Sequence, residues 1–89
     1  MLKKRSITAI ILTFNEEIHL QRCLNSLKKV CERIIVIDSF STDNTEEIAT
    51  KNNCDFYQNM WINYAKQFNW ALDNCKICTN WVLRMDADE

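Results

Sequence analysis

The residues best suited to chemistry stand at the end of the sequence, where Asp86-Ala87-Asp88-Glu89 follows the apolar run Trp81-Val82-Leu83-Arg84-Met85. Carboxylates two residues apart at the end of a strand can gather a hard divalent cation such as Mg²⁺ or Mn²⁺. Such a cation bridges diphosphate oxygens and stabilises the charge on a leaving nucleoside diphosphate. An Asp-x-Asp pair is also the usual content of a solvated acidic turn, so its weight comes from the strand before it.

A second polar cluster is Asp38-Ser39-Phe40-Ser41-Thr42-Asp43-Asn44-Thr45, after the run Ile34-Ile35-Val36-Ile37. An acid ending a second parallel strand is placed to meet a ribose or base, which is the reading favoured for Asp38. Asp43 and Thr45 read as turn and cap residues, with Glu46 completing a start that resembles a capping box. The third cluster, Thr13-Phe14-Asn15-Glu16-Glu17, leaves the run from Ile7 to Leu12. Its amides and hydroxyl could meet a nucleotide. The alternative is an ordinary helix start, with Asn15 as the cap and two glutamates in the first turn.

Alternating elements must position these clusters. The spacing predicts strands at 7–13, 33–38, 55–58 and 81–85, the third of them weak. Helices are expected over 18–29, 45–51 and 63–75. The first would carry Leu20, Cys23, Leu24, Leu27, Val30 and Cys31 on its apolar stripe and close on Lys28 and Lys29. The last would bury Ala65, Phe68, Leu72 and Cys75. The order β-α-β-α-β-α-β implies an α/β fold, a Rossmann-like parallel sheet with helices packed over it. In such sheets ligands collect at the carboxyl ends of the strands, where all three clusters fall.

Composition narrows the function. The chain has 89 residues, 47% of them hydrophobic, enough for one small domain or part of a larger one. With 11 basic and 12 acidic residues a basic surface for nucleic acid is not indicated. The apolar run at 7–12 is too short for a membrane span or the usual signal-peptide core, so a cytoplasmic setting is expected. The five cysteines include the C-x-x-C pair Cys75 and Cys78, but the sole histidine is His19 and no second pair exists. Packing is therefore favoured over zinc or redox chemistry. The chain has no glycine or proline, where average usage would supply roughly six glycines. Asn44, Asn52, Asn53 and Asn80 are the expected substitutes, because asparagine tolerates left-handed backbone. Trp61 and Trp70 read as core aromatics before they read as a sugar platform.

Together the motifs resemble family 2 glycosyltransferases over nearly the whole chain. Ile10-Ile11-Leu12-Thr13-Phe14-Asn15-Glu16-Glu17 is similar to that family's opening strand and loop. Asp38 to Thr45 looks like its Asp-Asp/Ser-Gly-Ser-x-Asp-x-Thr signature, and Tyr64 to Leu72 like the helix before the metal motif. Arg84-Met85-Asp86-Ala87-Asp88-Glu89 resembles its Asp-x-Asp with a trailing acid. The wording is nearest the branch that includes lipopolysaccharide-core glucosyltransferase-like proteins.

The resemblance implies the nucleotide-binding half of a GT-A fold, a nucleoside-diphosphate-sugar donor (a UDP-sugar first) and transfer with inversion to a glycan or lipid-linked acceptor. It implies that Thr13, Phe14 and Glu16 lie along the nucleoside, that Asp38 stands near the base or ribose, and that Asp86 and Asp88 hold Mn²⁺ or Mg²⁺. Lys66 and Asn69 would support the pocket. Residues 1–89 would form the N-terminal, nucleotide-sugar-binding part, cut off after the Asp-x-Asp motif. The general base would lie downstream of residue 89, leaving this fragment alone without turnover. Peripheral membrane contact at the inner face of the cell membrane would come through regions outside it. Two departures stand out: Ser39 replaces a frequent second Asp, and Phe40 a usual Gly, at a turn where Phe tolerates positive φ poorly. A nucleotidyltransferase is the alternative enzyme, without the Gly-rich, basic loop it would need. A phosphoacceptor receiver domain would need an Asp ending the third strand. An inactive α/β interaction domain is the remaining alternative.

Overall fold

A computed structural model describes residues 5–87; Asp88 and Glu89 lie outside the described residues. The order is β1 (Arg5–Thr13), α1 (Glu17–Leu27), β2 (Cys31–Asp38), α2 (Thr45–Lys51), β3 (Asp55–Gln58), α3 (Tyr64–Asn74) and β4 (Trp81–Asp86). The four strands pair in the order β3-β2-β1-β4, all parallel. This is the α/β arrangement that the hydrophobic runs imply.

Alternation along the central strands builds two cores. Ala9 and Ile11 of β1 and Ile34 and Val36 of β2 face α1 and α2, meeting Leu20, Leu24, Leu27 and Ala49. Ile10, Leu12, Ile35 and Ile37 face the other way, onto Ala71 and Cys75 at α3. Two helices thus cover one face and one helix the other. β1 and β2 are buried on both sides and carry continuous apolar sequence for that reason. β4 is an edge strand with Trp81, Val82 and Leu83 exposed.

Local departures have physical causes. α1 ends at Leu27 with Lys28 as its C-cap, so no basic residue occupies its last turn. Val30 is exposed, and Cys31 is buried as the first residue of β2, outside the helical stripe. The buried face of α3 carries Gln67 and Ala71, with Phe68 and Trp70 half-buried; Ala65 and Leu72 are exposed. A search for apolar residues alone rotates this helix, because one of its innermost residues is polar. Left-handed backbone falls at Asn15 (φ 51°), Phe40 (φ 57°) and Asn53 (φ 62°). Of the four asparagines expected there, only Asn53 adopts it. The turn at Phe40 keeps the geometry that glycine would take more readily. Neither Cys75, which is buried, nor Cys78, which is exposed, is in a disulfide. Strand β3 ends on Gln58 and not on an Asp, unlike the acid a receiver domain requires.

Candidate donor-binding cleft

Register brings the three polar clusters together. Thr13 is the neighbour of Asp38 across β1–β2, and Leu12 of Asp86 across β1–β4. From β1 the chain travels outward over one face to β2 and β3. It then returns over the other face to β4 on the far side of β1. A crevice opens at the carboxyl ends where such a path reverses.

A cleft of about 560 Å³ lies there, within the range of small-molecule sites. Leu12, Thr13, Phe14 and Glu16 form one side, from the end of β1 and the loop after it. Ser39 enters from β2, Asp86 and Ala87 from β4, and Trp61 and Tyr64 from the approach to α3. Four expected site residues therefore line one cleft: Thr13, Phe14, Glu16 and Asp86.

Asp38 does not line this cleft. It is 0% exposed beneath it. Its carboxylate accepts the Thr13 hydroxyl at 2.7 Å and the Ser41 amide at 2.7 Å, and also the Ser41 hydroxyl. In this structure the carboxylate is a brace between β1 and the β2–α2 loop. Lys66 and Asn69 likewise stand apart, on a smaller depression of about 300 Å³ lined also by Met60 and Asp73.

The amides that open α1 are already engaged by the β2–α2 loop. Asn15 N–H donates to Ser41 Oγ at 2.8 Å, Glu16 N–H to Thr45 Oγ1 at 2.9 Å, and Glu17 N–H to Asp43 Oδ2 at 3.2 Å. In return Asn15 Oδ1 accepts the Thr42 amide at 2.8 Å. Glu16, not Asn15, is the N-cap, and no side chain of its own caps the helix. These amides are spent on holding two loops together and make no phosphate cradle. Asp43 serves both helices, since its Oδ1 also accepts the Thr45 amide at 3.0 Å. Burial would push its carboxyl up, but the Thr45 hydroxyl and the Thr45 and Glu17 amides outweigh it and hold the group below the usual carboxylate range. The partner of Asp43 is thus Thr45 and α1, not Glu46.

Asp86 is the opposite case. Its Oδ1 is buried and has no hydrogen-bond partner among the described residues. Leaving a carboxylate oxygen so is costly, and the cost is relieved by a cation or a donor from a ligand in the cleft. This orphaned oxygen fits the hard-cation role expected of Asp86. Asp88, the other expected ligand, lies outside the described residues. Within them no cluster of three or more His, Cys, Asp or Glu forms a metal site.

Trp61 and Tyr64 are the site residues that apolar periodicity misses. Trp61 precedes α3, is 42% exposed, and meets Tyr64 edge-to-face at 4.8 Å. Arg84 of β4 stands over the Tyr64 ring at 5.8 Å. Trp70 does pack inward, against Tyr57. The signal that separates the two tryptophans is Asn63: its side chain accepts the Lys66 amide at 2.8 Å and starts the helix after Trp61.

Comparison with known proteins agrees with this architecture. The chain is 38% identical to an uncharacterized glycosyltransferase of Rickettsia bellii, over 96% of this chain and 28% of that protein. It is 35% identical to the lipopolysaccharide core biosynthesis glycosyltransferase LpsC of Rhizobium meliloti, over the whole of this chain and 34% of LpsC. The chain thus spans about a third or less of these relatives. Among solved structures, glucosyl-3-phosphoglycerate synthase of Mycobacterium tuberculosis in complex with UDP superposes with a TM-score of 0.78, at 21% identity, covering 96% of this chain and 34% of the synthase. Its complex with Mn²⁺, UDP and glucosyl-3-phosphoglycerate gives 0.76 over 93% and 33%. The fold is that shared by the GT-A glycosyltransferases. The model of the family described as glycosyl transferase family 2 matches residues 8–89, and the chain belongs to that family.

Proposed function

We propose that residues 1–89 are the N-terminal, nucleotide-sugar-binding part of an inverting glycosyltransferase, and that the cleft takes the nucleoside diphosphate of the donor. The observation that carries this reading is the partnerless buried oxygen of Asp86, set in the wall of a cleft at the sheet's reversal point. A polar atom buried without a partner is expensive in a resting fold and useful in a binding site. Thr13, Phe14 and Glu16 would follow the nucleoside. Asp86 would face the ribose and the cation, and Asp88 would hold the cation, Mn²⁺ or Mg²⁺. When bound, that cation supplies charge neutralisation at the departing diphosphate. The bound UDP of the synthase structures supports a uridine donor.

The likeness to LpsC supports a glycan or lipid-linked acceptor such as lipopolysaccharide core. The acceptor site and the base that deprotonates its hydroxyl belong, in this reading, to sequence beyond residue 89; direct displacement requires that base within hydrogen-bond reach of the nucleophile. We place the parent protein in the cytoplasm at the inner face of the cell membrane, where lipid-linked acceptors are presented. No helix among the described residues is long and apolar enough to cross a membrane.

Calorimetric titration with UDP, GDP and ADP, with and without Mn²⁺, tests the donor assignment. Saturable, metal-dependent binding that is lost in Asp86→Ala and Asp88→Ala is the expected result, with UDP preferred. A folded chain that binds no nucleotide under either condition contradicts it.

A further inference from the structure

The loop between β3 and α3, residues 59–63, divides two openings. Trp61, with Tyr64 just after the loop, lines the donor cleft, whereas Met60 and Ile62 line the depression of about 300 Å³ on the other side. Helix α3 closes that depression with a single stripe. Lys66, Asn69, Trp70 and Asp73 follow one another at the three- and four-residue spacing that shares a helix face. The donor reading makes no use of this second opening.

Asn59 lines it in a fixed orientation, set by Gln67, which is 1% exposed. The Asn59 main-chain carbonyl can only accept, so the Gln67 amino group faces it, at 3.1 Å, and also reaches Ser39 Oγ at 3.2 Å. Gln67 Oε1 is thereby turned to accept from Asn59 Nδ2 at 2.9 Å. The Asn59 main-chain N–H donates to the Asp38 carbonyl at 2.9 Å. What Asn59 has left is its Oδ1 and one amide hydrogen, neither of which has a partner among the described residues. The side chains of Lys66, Asn69 and Asp73 are exposed and likewise form no hydrogen bond or ion pair with a described residue.

This lining selects a ligand by its chemistry. Lys66 and Asp73 lie roughly 10 Å apart along the helix and cancel in charge. A phosphate or other anion would gain one ammonium and be opposed by one carboxylate. A purely apolar ligand would cover the polar side chains without replacing their water. A neutral saccharide meets both halves of the lining. Its hydroxyls donate to Asn59 Oδ1 and Asp73 and accept from Asn69 and Lys66, while its C–H face rests on Trp70 and Met60. The volume lies at the lower end of small-molecule sites, about half that of the donor cleft.

We propose that this depression is a glycan-binding site, separate from the donor cleft, that takes a neutral mono- or disaccharide unit, and that the loop at residues 59–63 is the wall the two sites share. The site goes beyond the donor-site reading and does not depend on it.

The experiment is a titration of the isotope-labelled chain with maltose, followed through its amide and indole NMR signals. Saturable shifts are expected at the Trp70 indole and at the amides of residues 59–62 and 66–73, with a Kd on the order of 1 mM. Asn69→Ala and Asp73→Asn, at exposed positions that leave the fold intact, should each weaken binding about fivefold, the scale of one lost hydrogen bond. Saturating UDP with Mn²⁺ should leave the maltose shifts in place. Absent or unsaturable shifts, equal shifts with cyclohexanol or sulfate, unchanged affinity in both variants, or displacement of maltose by UDP would each overturn the proposal. Phosphatidylcholine vesicles with and without dodecyl maltoside separate two sources of the saccharide. Tighter binding to maltoside vesicles than to maltose assigns a lipid-borne glycan, and equal affinity a free one; the same binding to vesicles lacking maltoside overturns the site. A chain that binds UDP and not maltose refutes this proposal alone, whereas one that binds maltose and not UDP refutes only the donor-site reading.

Discussion

The hydroxyl of Thr13, the last residue of β1, donates to the buried carboxylate of Asp38, the last residue of β2, at 2.7 Å. One interaction therefore locks the ends of the two central strands and presents the loops that follow. With the Ser41 amide on the same carboxylate, Asp38 ties the base of the cleft to the β2–α2 loop. Asp38→Ala should destabilise the fold by about 3 kcal/mol, because it orphans one buried and two half-buried donors at once. Thr13→Val should cost about 1–2 kcal/mol. Urea denaturation measures both, and a double-mutant cycle should show that the losses are not additive.

Phe40 occupies left-handed backbone at φ 57° with its ring half out of the protein. An L-residue with a Cβ is disfavoured there by roughly 1–2 kcal/mol, part of which glycine returns as unfolded-state entropy. Phe40→Gly should raise stability by about 0.5–1 kcal/mol, visible as a higher Tm. A lower Tm would mean that the ring contributes packing that its exposure does not reveal.

Asp43 gives the fold an acid-sensitive joint. Its carboxyl is held below its usual value of 3.8 by bonds that exist only in the folded state. Its contribution is present in full above the unfolded pKa and is lost as pH falls through the lower folded pKa. Asp43→Asn should therefore flatten the stability profile below about pH 4 and lower stability at neutral pH. Thermal unfolding across pH 2–7 checks both, and an unchanged acid limb would show that the joint carries no pH dependence.

The five cysteines should separate under alkylation. Burial pushes the Cys54 thiol up to about 11 and also raises Cys31 and Cys75, while Cys23 is buried and Cys78 is exposed. At pH 8 iodoacetamide should modify Cys78 first, and the others at least about tenfold more slowly, as buried thiols are largely inert. Mass spectrometry of the time course reads this directly. Rapid modification of Cys75 would show that the C-x-x-C segment opens readily.

Much of this was legible from the amino acids because parallel strands buried on both faces leave unbroken apolar runs. Ile7 to Leu12 and Ile34 to Ile37 are such runs, and the polar clusters that follow them mark the carboxyl edge. Helix α2 and strand β3 fall where the sequence puts them. Less legible was anything decided across elements. Nothing local says that Asp38 turns inward to Thr13, or that Thr45 and Asp43 take the amides of Glu16 and Glu17, 29 and 26 residues earlier. Gln67 was hidden for a similar reason: a buried polar residue breaks the hydrophobic period, and its partners Asn59 and Ser39 stand on other elements. Phe40 was flagged as a poor fit to its turn, and the backbone takes that turn regardless because the Asp38–Ser41 contacts hold its flanks.

The strand order also sets a timetable. β1 lies at the centre but meets β4 only across most of the chain: the hydroxyls of Thr8 and Thr79 pair over a separation of 71 residues. Closing so long a loop costs entropy before any contact repays it, and sheets built from distant pairings fold slowly. The β1–β2 pair with α1 between them draws on contacts within one short stretch of sequence, whereas the wall holding Asp86 rests on the distant β1–β4 pairing. The Asp86 wall of the cleft thus depends on the longest-range pairing among the described strands, and a chain that has not closed β4 onto β1 lacks that wall.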